Sequence, residues 1–445
     1  MTSSNTIFAL ATAPGRAGIA VFRISGPEAG TALKAITAQT NIPEARSAIR
    51  CRMVKPNSGD LLDDGLAVWF PGPASFTGED VAELHIHGGR ATVEAIASAL
   101  ASLPGLRLAE PGEFSKRAFL AGKIDLTEAE AIVDLIDAET DAQRRQALAQ
   151  LGGGLSERLE AWRVDLVEIL AHTEAWIDFP DEDLPADVEQ AARQRIETLA
   201  SDISAFMNDN RRGERLRDGL QVALLGAPNV GKSSLLNAIA ARDAAIVSDT
   251  AGTTRDVIEV HLSLGGWPVT LADTAGLRDA ADTVEQEGVK RALDRAESAD
   301  VCLVLFDATK APDAQSLGLL TRPNAIAVST KEDLRTQSAA RDLPEAAVSV
   351  SAKTGEGLPG LLSRLEKEAA ALMEPSGRPA PLTRLRHRTA LAECADALSR
   401  AAQADVSELA AEDLRLAARA LGRVTGRVDI EDLLDVIFAD FCIGK

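Results

Sequence analysis

The sequence predicts a multidomain protein of α/β plus α character: an N-terminal α/β domain, a central helical domain, and a second α/β domain inserted into the helical one. Three observations predict it. The chain has 445 residues, too many for one hydrophobic core when domains run to about 100–200 residues. Strand-like and helix-like segments alternate between 218 and 373, and apolar residues at helical spacing dominate on both sides of that stretch. Aromatics are only 3% with no Tyr, so Ala and Leu fill the cores and favour helix packing.

Residues 1–119 form the N-terminal domain. Short strands at 67–70 and 82–87 alternate with turns such as Asp63-Asp64-Gly65 and Pro71-Gly72-Pro73. Residues 1–27 hold no acid, two arginines and several Ser/Thr, a composition shared with organellar transit peptides. Two short strands, 7–11 and 19–24, joined by Pro14-Gly15-Arg16, favour a folded, retained segment.

The first helical part is 120–217. Thr127 and Glu130 form a candidate capping box ahead of Ile132, Val133, Leu135 and Ile136. After Gly152-Gly153-Gly154, Leu155, Leu159, Trp162, Leu166, Ile169, Leu170 and Trp176 repeat at helical spacing over six turns. The inserted domain, 218–376, places strands at 221–225, 257–264, 267–272, 301–306, 325–329 and 347–350. Gly265-Gly266 makes one of its strand pairs a hairpin. The second helical part, 377–445, follows a Pro/Gly linker and ends on Ile430, Leu433, Leu434, Ile437, Phe438 and Phe441 along one helix face.

Charge and cysteine usage narrow the function. Lys and Arg number 47 against 67 Asp and Glu, a net of −20, which argues against an autonomous nucleic-acid-binding module. Cys51, Cys302, Cys394 and Cys442 are scattered without a Cys-x-x-Cys pair, as in a reducing cytoplasm. No apolar run approaches membrane-spanning length, so no membrane association is expected.

GAPNVGKS at 226–233 follows an apolar strand and opens a helix carrying Leu235, Leu236 and Ile239, which is the P-loop pattern in its required context. Its glycines let backbone N–H groups converge on phosphate, Lys232 places charge between the β- and γ-phosphates, and Ser233 holds Mg²⁺. Asn229, Val230, Gly231 and Ser234 complete the phosphate loop. Asp273-Thr274-Ala275-Gly276 ends the third strand, where an acid reaches Mg²⁺ through water and a glycine N–H senses the γ-phosphate. Thr253 and Thr254 lie in a loop whose hydroxyl completes the Mg²⁺ shell.

Thr330-Lys331-Glu332-Asp333 is a guanine motif, since the Asp333 carboxylate accepts from two guanine N–H donors that adenine lacks. Ser351-Ala352-Lys353 supports the base. In this order and spacing the set indicates GTP. Thr330 replaces the usual Asn, which weakens base contact while Asp333 still enforces guanine. Leu277 occupies the place of the water-orienting glutamine of Ras-like proteins and cannot do that work. Glu285 is a candidate for it, or a solvated carboxylate at a helix start.

These motifs, with DTAGTTRD at 249–256, SFTGED at 75–80, PGEF at 111–114, FLAGKIDL at 119–126 and a final FCIGK at 441–445, resemble the MnmE (TrmE) family of tRNA modification GTPases over nearly the whole chain. The resemblance implies a Ras-like P-loop GTPase domain and an N-terminal domain that dimerises and binds a reduced folate such as 5-formyl-tetrahydrofolate. Arg23, Glu79 and Lys123 match folate-contacting positions, with Glu83 close by; ordinary surface charge is the competing reading. Asn229, Ser248, Thr250 and Thr253 match a K⁺ cage in which Asp249, Ala251 and Gly252 also border the nucleotide. Glu285 matches the family's water-orienting glutamate.

The family's partner is MnmG, an FAD-dependent protein. Together they build a carboxymethylaminomethyl or aminomethyl group at C5 of the wobble uridine of certain tRNAs. Cys442 is either a nucleophile or one-carbon acceptor, with Lys445 beside it at the folate site, or a small buried residue. The CaaX reading of Cys442 fails on Gly444 and Lys445. Arg384, Arg386 and Arg388 crowd a helix start, where the dipole disfavours cations; they meet either an anionic partner or this chain's own carboxylates. His85-x-His87 is explained by ordinary strand alternation. The competing function is a GTP-regulated ribosome-assembly or RNA-binding switch without modification chemistry.

Overall fold

The computed structural model describes residues 5–178, 186–242, 259–273, 297, 299–335, 343–374, 381–428, 434, 437, 438, 441 and 444. Contacts divide the chain into two units, residues 1–133 with 422–445 and residues 134–421.

In the first unit, β1 (Thr6–Leu10), β2 (Ala17–Ser25), β3 (Ile49–Val54), β4 (Leu61–Phe70), β5 (Val81–Gly88) and β6 (Leu106–Leu108) form one sheet in the order β3-β4-β5-β2-β1-β6. Only β1 and β6 run parallel; the other pairs are antiparallel. The first two strands thus begin one and two residues ahead of the expected 7–11 and 19–24. Alternation sets the faces. Phe22, Ile24, Ala82, Leu84 and Ile86 turn inward against Leu33, Ile36, Ile96 and Leu100 of helices Ala29–Thr37 and Arg90–Ala101. Arg23, Ser25 and Glu83 turn the other way.

Helix Leu126–Ile136 is capped two residues earlier than expected. Asp125 accepts from the Glu128 N–H at 2.9 Å, while Glu128 accepts from the Asp125 N–H at 2.8 Å. Thr127 is fully buried within the first turn of the helix and donates its hydroxyl to Asp125. Leu126 and Ala129 pack with Leu434, Phe438 and Phe441, which bear out part of the apolar face read near the end of the sequence. Ile430 and Leu433 lie outside the described residues.

In the second unit, β7 (Leu220–Leu225), β8 (Glu259–Leu264), β9 (Trp267–Asp273), β10 (Val301–Asp307), β11 (Ala325–Thr330) and β12 (Val348–Ser349) form a sheet in the order β12-β11-β10-β7-β9-β8. Five strands are parallel, and β8 joins β9 through the Gly265-Gly266 hairpin. The apolar runs of β7 and β10 are buried throughout, as central parallel strands require. Helices Lys232–Ala240 and Leu358–Met373 contribute Leu235, Leu236, Ile239, Leu361, Leu365 and Met373 to the core.

The long amphipathic helix is Gly154–Asp178, burying Leu155, Leu159, Trp162, Leu166 and Ile169. Trp162 meets Phe206 edge-on at 5.4 Å. Helix Leu385–Gln403 packs against helix Ala186–Met207, and it buries Ala390, Leu391, Cys394, Ala397, Leu398 and Ala401. Burial leaves Cys51 and Cys302 as thiols with raised pKa and pushes Cys394 up to about 12, so none forms much thiolate near neutrality.

Of the three arginines at the start of helix Leu385–Gln403, Arg384 and Arg388 meet the chain's own carboxylates. Arg384 pairs with Asp134 at 2.7 Å, and Arg388 pairs with Asp209 at 2.8 Å and Glu214 at 2.9 Å. Glu214, whose side chain is only 4% exposed, also takes Arg211. Burial would push the Glu214 carboxyl up, but Arg388 and Arg211 outweigh it and hold it below its ordinary value. A depressed carboxyl stabilises the fold above its unfolded pKa of about 4.3 and ceases to do so as pH falls through the lower folded value. Arg388→Met should therefore cost about 3 kcal/mol at neutral pH, because it takes one of two arginine partners from buried Glu214 and breaks the pair with Asp209. Urea unfolding followed by circular dichroism should show this deficit shrinking as pH drops below about 4.

Candidate functional site

The topology gathers the nucleotide motifs at one edge of the parallel sheet. The P-loop leaves the C-terminal end of central β7, between β10 and β9, whose own C-terminal ends carry Asp307 and Asp273. β11 ends at Thr330, and Ser351 follows β12. Ligands of open α/β sheets bind in such a crevice beyond the strand ends.

The P-loop shape follows from its residues. Gly226 lies at φ +139°, and a Cβ there would come within 2.6 Å of the Leu305 carbonyl oxygen. Asn229 takes the left-handed conformation at φ +60° and is exposed, while Val230 is buried in the core. Gly231 begins helix Lys232–Ala240 from φ +107°. Lys232 Nζ donates to the carbonyls of Gly226 and Ala227 at 2.7 and 3.1 Å. Ser233 and Ser234 are exposed in the first turn.

The guanine motif is bound to this loop. Lys331 Nζ lies 2.8 Å from the Asn229 carbonyl oxygen and 2.7 Å from Asp307 Oδ2. Thr330 Oγ1 lies 2.5 Å from the Val230 carbonyl oxygen and 3.0 Å from that of Phe306. Asp333 accepts from the buried Ser351 hydroxyl at 2.7 Å, so the loops after β11 and β12 meet. Ala352 is half-buried and Lys353 exposed. Burial alone would raise the Asp307 carboxyl, but Lys331 and Thr309 outweigh it and keep it below the usual carboxylate range. The backbone of Asp273 pairs beside Leu224. Ser248, Asp249, Thr250, Ala251, Gly252, Thr253, Thr254, Thr274, Ala275, Gly276 and Glu285 lie outside the described residues.

A second constellation occupies the first unit. Arg23 faces Glu83 across β2 and β5, with Nε and Nη2 both 3.1 Å from Glu83 Oε1. Its guanidinium lies 5.7 Å from the Phe76 ring and 5.8 Å from that of Phe114. Glu79 accepts from Ser25 at 2.8 Å and from buried Arg117 at 2.9 Å. Arg117 also pairs with Glu113 at 2.9 Å. The Lys123 stem lies against Gly78, whose Cβ would stand 3.5 Å from Lys123 Cε. Arg23, Glu79 and Lys123 thus share one neighbourhood with Ser25, Phe76, Glu83, Phe114 and Arg117.

Sequence reading missed Arg117, Phe76 and Phe114 as site residues. The signal was present, because both aromatics sit inside the quoted 75–80 and 111–114 motifs. Gly444, at φ +102°, lies against β1, where a Cβ would reach 2.3 Å from the Leu10 carbonyl oxygen. Cys442 and Lys445 lie outside the described residues.

Comparison with known proteins places this geometry in a family. The family model for the MnmE helical domain matches residues 126–442, and that for the GTP-binding protein TrmE N-terminus matches residues 6–123. The tRNA modification GTPase MnmE of Rhodospirillum rubrum is 56% identical over 455 aligned residues, covering 99% of each chain. That of Parvibaculum lavamentivorans is 56% identical over 447, covering 99% of this chain and 100% of the relative. The protein of the same name from Granulibacter bethesdensis is 52% identical over 448 and covers 100% of both. With its P-loop and guanine motif converging at one sheet edge, the chain belongs to the MnmE (TrmE) family of tRNA modification GTPases.

Proposed function

We propose that this GTPase is K⁺-stimulated and acts in the cytoplasm as a homodimer with FAD-dependent MnmG. The pair installs a carboxymethylaminomethyl or aminomethyl group at C5 of uridine 34 in certain tRNAs. The observation that carries the GTPase part is the joining of Asn229 and Val230 to Lys331 and Thr330, beside the Asp333–Ser351 pair. The working division is 1–119 for folate and dimerisation, 218–376 for GTP, and 120–217 with 377–445 as the helical frame.

The residues suit the groups assigned to them. Ser233 is exposed at the start of the P-loop helix, where its hydroxyl and that of Thr254 would ligate Mg²⁺. Asn229 is exposed with its backbone held by Lys331, and would ligate K⁺ with Ser248, Thr250 and Thr253. A cation there offsets charge developing between the β- and γ-phosphates, as an arginine finger does in other GTPases. Glu285 orients the attacking water in place of the glutamine lost to Leu277.

In the first unit, Arg23 and Lys123 suit an anionic glutamate tail, Glu79 suits pterin N–H donors, and Phe76 and Phe114 offer flat apolar faces. A bound reduced folate supplies the one-carbon unit, while FAD on the partner handles redox. Gly444, which stands between Cys442 and Lys445 in the sequence, rests on β1.

Replacing Na⁺ by K⁺ at matched ionic strength should raise steady-state GTP hydrolysis roughly 10²-fold. Asn229→Ala should abolish the difference, and Glu285→Ala should slow hydrolysis with nucleotide affinity nearly intact. Calorimetry on the full chain should detect 5-formyl-tetrahydrofolate binding that Arg23→Ala weakens about tenfold, a loss near 1.4 kcal/mol; a parent chain without binding would favour the GTP-regulated switch. Cys442→Ser should abolish tRNA modification while sparing K⁺-stimulated hydrolysis and dimerisation, and normal modification by that variant would make Cys442 structural.

A further inference from the structure

Two adjacent P-loop carbonyls are held by two adjacent residues of the guanine motif, and both holders are tied to the end of β10. Thr330 Oγ1 lies between the carbonyl oxygens of Val230 and Phe306, at 2.5 and 3.0 Å. Lys331 Nζ lies between the Asn229 carbonyl oxygen and Asp307 Oδ2, at 2.8 and 2.7 Å. The Asp307 side chain is 8% exposed. Its other oxygen accepts from the Thr309 N–H and hydroxyl at 3.0 and 2.6 Å, which fixes the carboxylate plane.

Asn229 and Lys331 both sit at positive φ, +60° and +58°, a conformation that Asn reaches at small cost and that a lysine keeps only when its surroundings hold it. A lysine ammonium on a flexible four-carbon stem does not provide such a hold alone. The rigid Asp307 carboxylate supplies the fixed point.

We propose that Asp307 is a positioning residue for the monovalent-cation response: through Lys331 it fixes the backbone at Asn229 and hence the direction of the Asn229 side chain. The inference rests on Asn229 being a K⁺ ligand. Thr330 holds the next carbonyl independently, so neutralising Asp307 loosens Asn229 without releasing Val230 from the core. The expected consequence is a weakened K⁺ response, with the rest of the phosphate loop kept in place.

The test is a K⁺ titration of the full chain at constant ionic strength, read as steady-state GTP hydrolysis and, without turnover, as the K⁺ concentration at which bound GDP captures aluminium fluoride as a transition-state analogue. Asp307→Asn should raise the K⁺ concentration for half-maximal stimulation about tenfold, the effect of roughly one lost charge-assisted hydrogen bond. The rate in Na⁺ should change little, and Asp307→Glu should recover part of the K⁺ response. Lys331→Gln should give the same shift, and adding Asp307→Asn to it should shift the value no further. Should Asp307→Asn not fold, Lys331→Gln must still show the shift. An unchanged half-maximal concentration, or an equal loss of rate in both salts, would overturn the proposal. A parent chain indifferent to K⁺ would remove the Asn229 reading, and this inference with it.

Discussion

The backbone between Gly226 and Gly231 is the constraint on which the nucleotide site depends. It must turn sharply at the end of a buried parallel strand, pass close to β10 and present its next residues to phosphate. Gly226 permits the approach, because any side chain there would collide with the Leu305 carbonyl. Asn229, less free than glycine at its positive φ, has its carbonyl held from outside by Lys331. Val230, sunk into the core, anchors the far side of the turn. The P-loop and the loop after β11 are therefore one connected object, and a change in either is felt in the other.

Arginine–carboxylate pairing is the second organising theme. A chain with a net charge of −20 stores much of its positive charge in guanidinium groups that join separate segments. Arg388 ties helix Leu385–Gln403 to Asp209 and Glu214, and Arg215 ties helix Arg212–Asp218 to Asp300, which also accepts from the Gln221 N–H at the start of β7. Breaking one partner leaves a buried charge uncompensated, which costs more than the intact pair contributes.

The N-terminal unit uses the same chemistry differently. Glu113 is gripped by Arg107 and Arg117; burial opposes its charge, but the arginines and the Glu110 N–H prevail and keep its carboxyl below the usual range. Arg117 then orients Glu79 from inside the fold. Arg23, between two aromatic rings and one carboxylate, remains on the opposite sheet face from the core. A buried ionic scaffold thus holds a partly exposed set of groups, the arrangement that fixes side chains for recognition.

The sequence by itself determined the elements that carry the P-loop and the guanine motif. Alternation in 218–373 yielded the parallel strands to within two residues wherever they are described, because buried strands read as apolar runs between turn residues. The P-loop spacing was equally legible, since its glycines serve local backbone needs. Partner choice among charges was beyond reach: Arg384 and Arg388 meet residues 134, 209 and 214, far away in sequence, and only packing decides which carboxylates come near. Thr330 shows the same limit. Its identity suggested a weakened base contact, whereas tertiary structure sets its hydroxyl between the Val230 and Phe306 carbonyls, because β11 ends directly beside the P-loop turn.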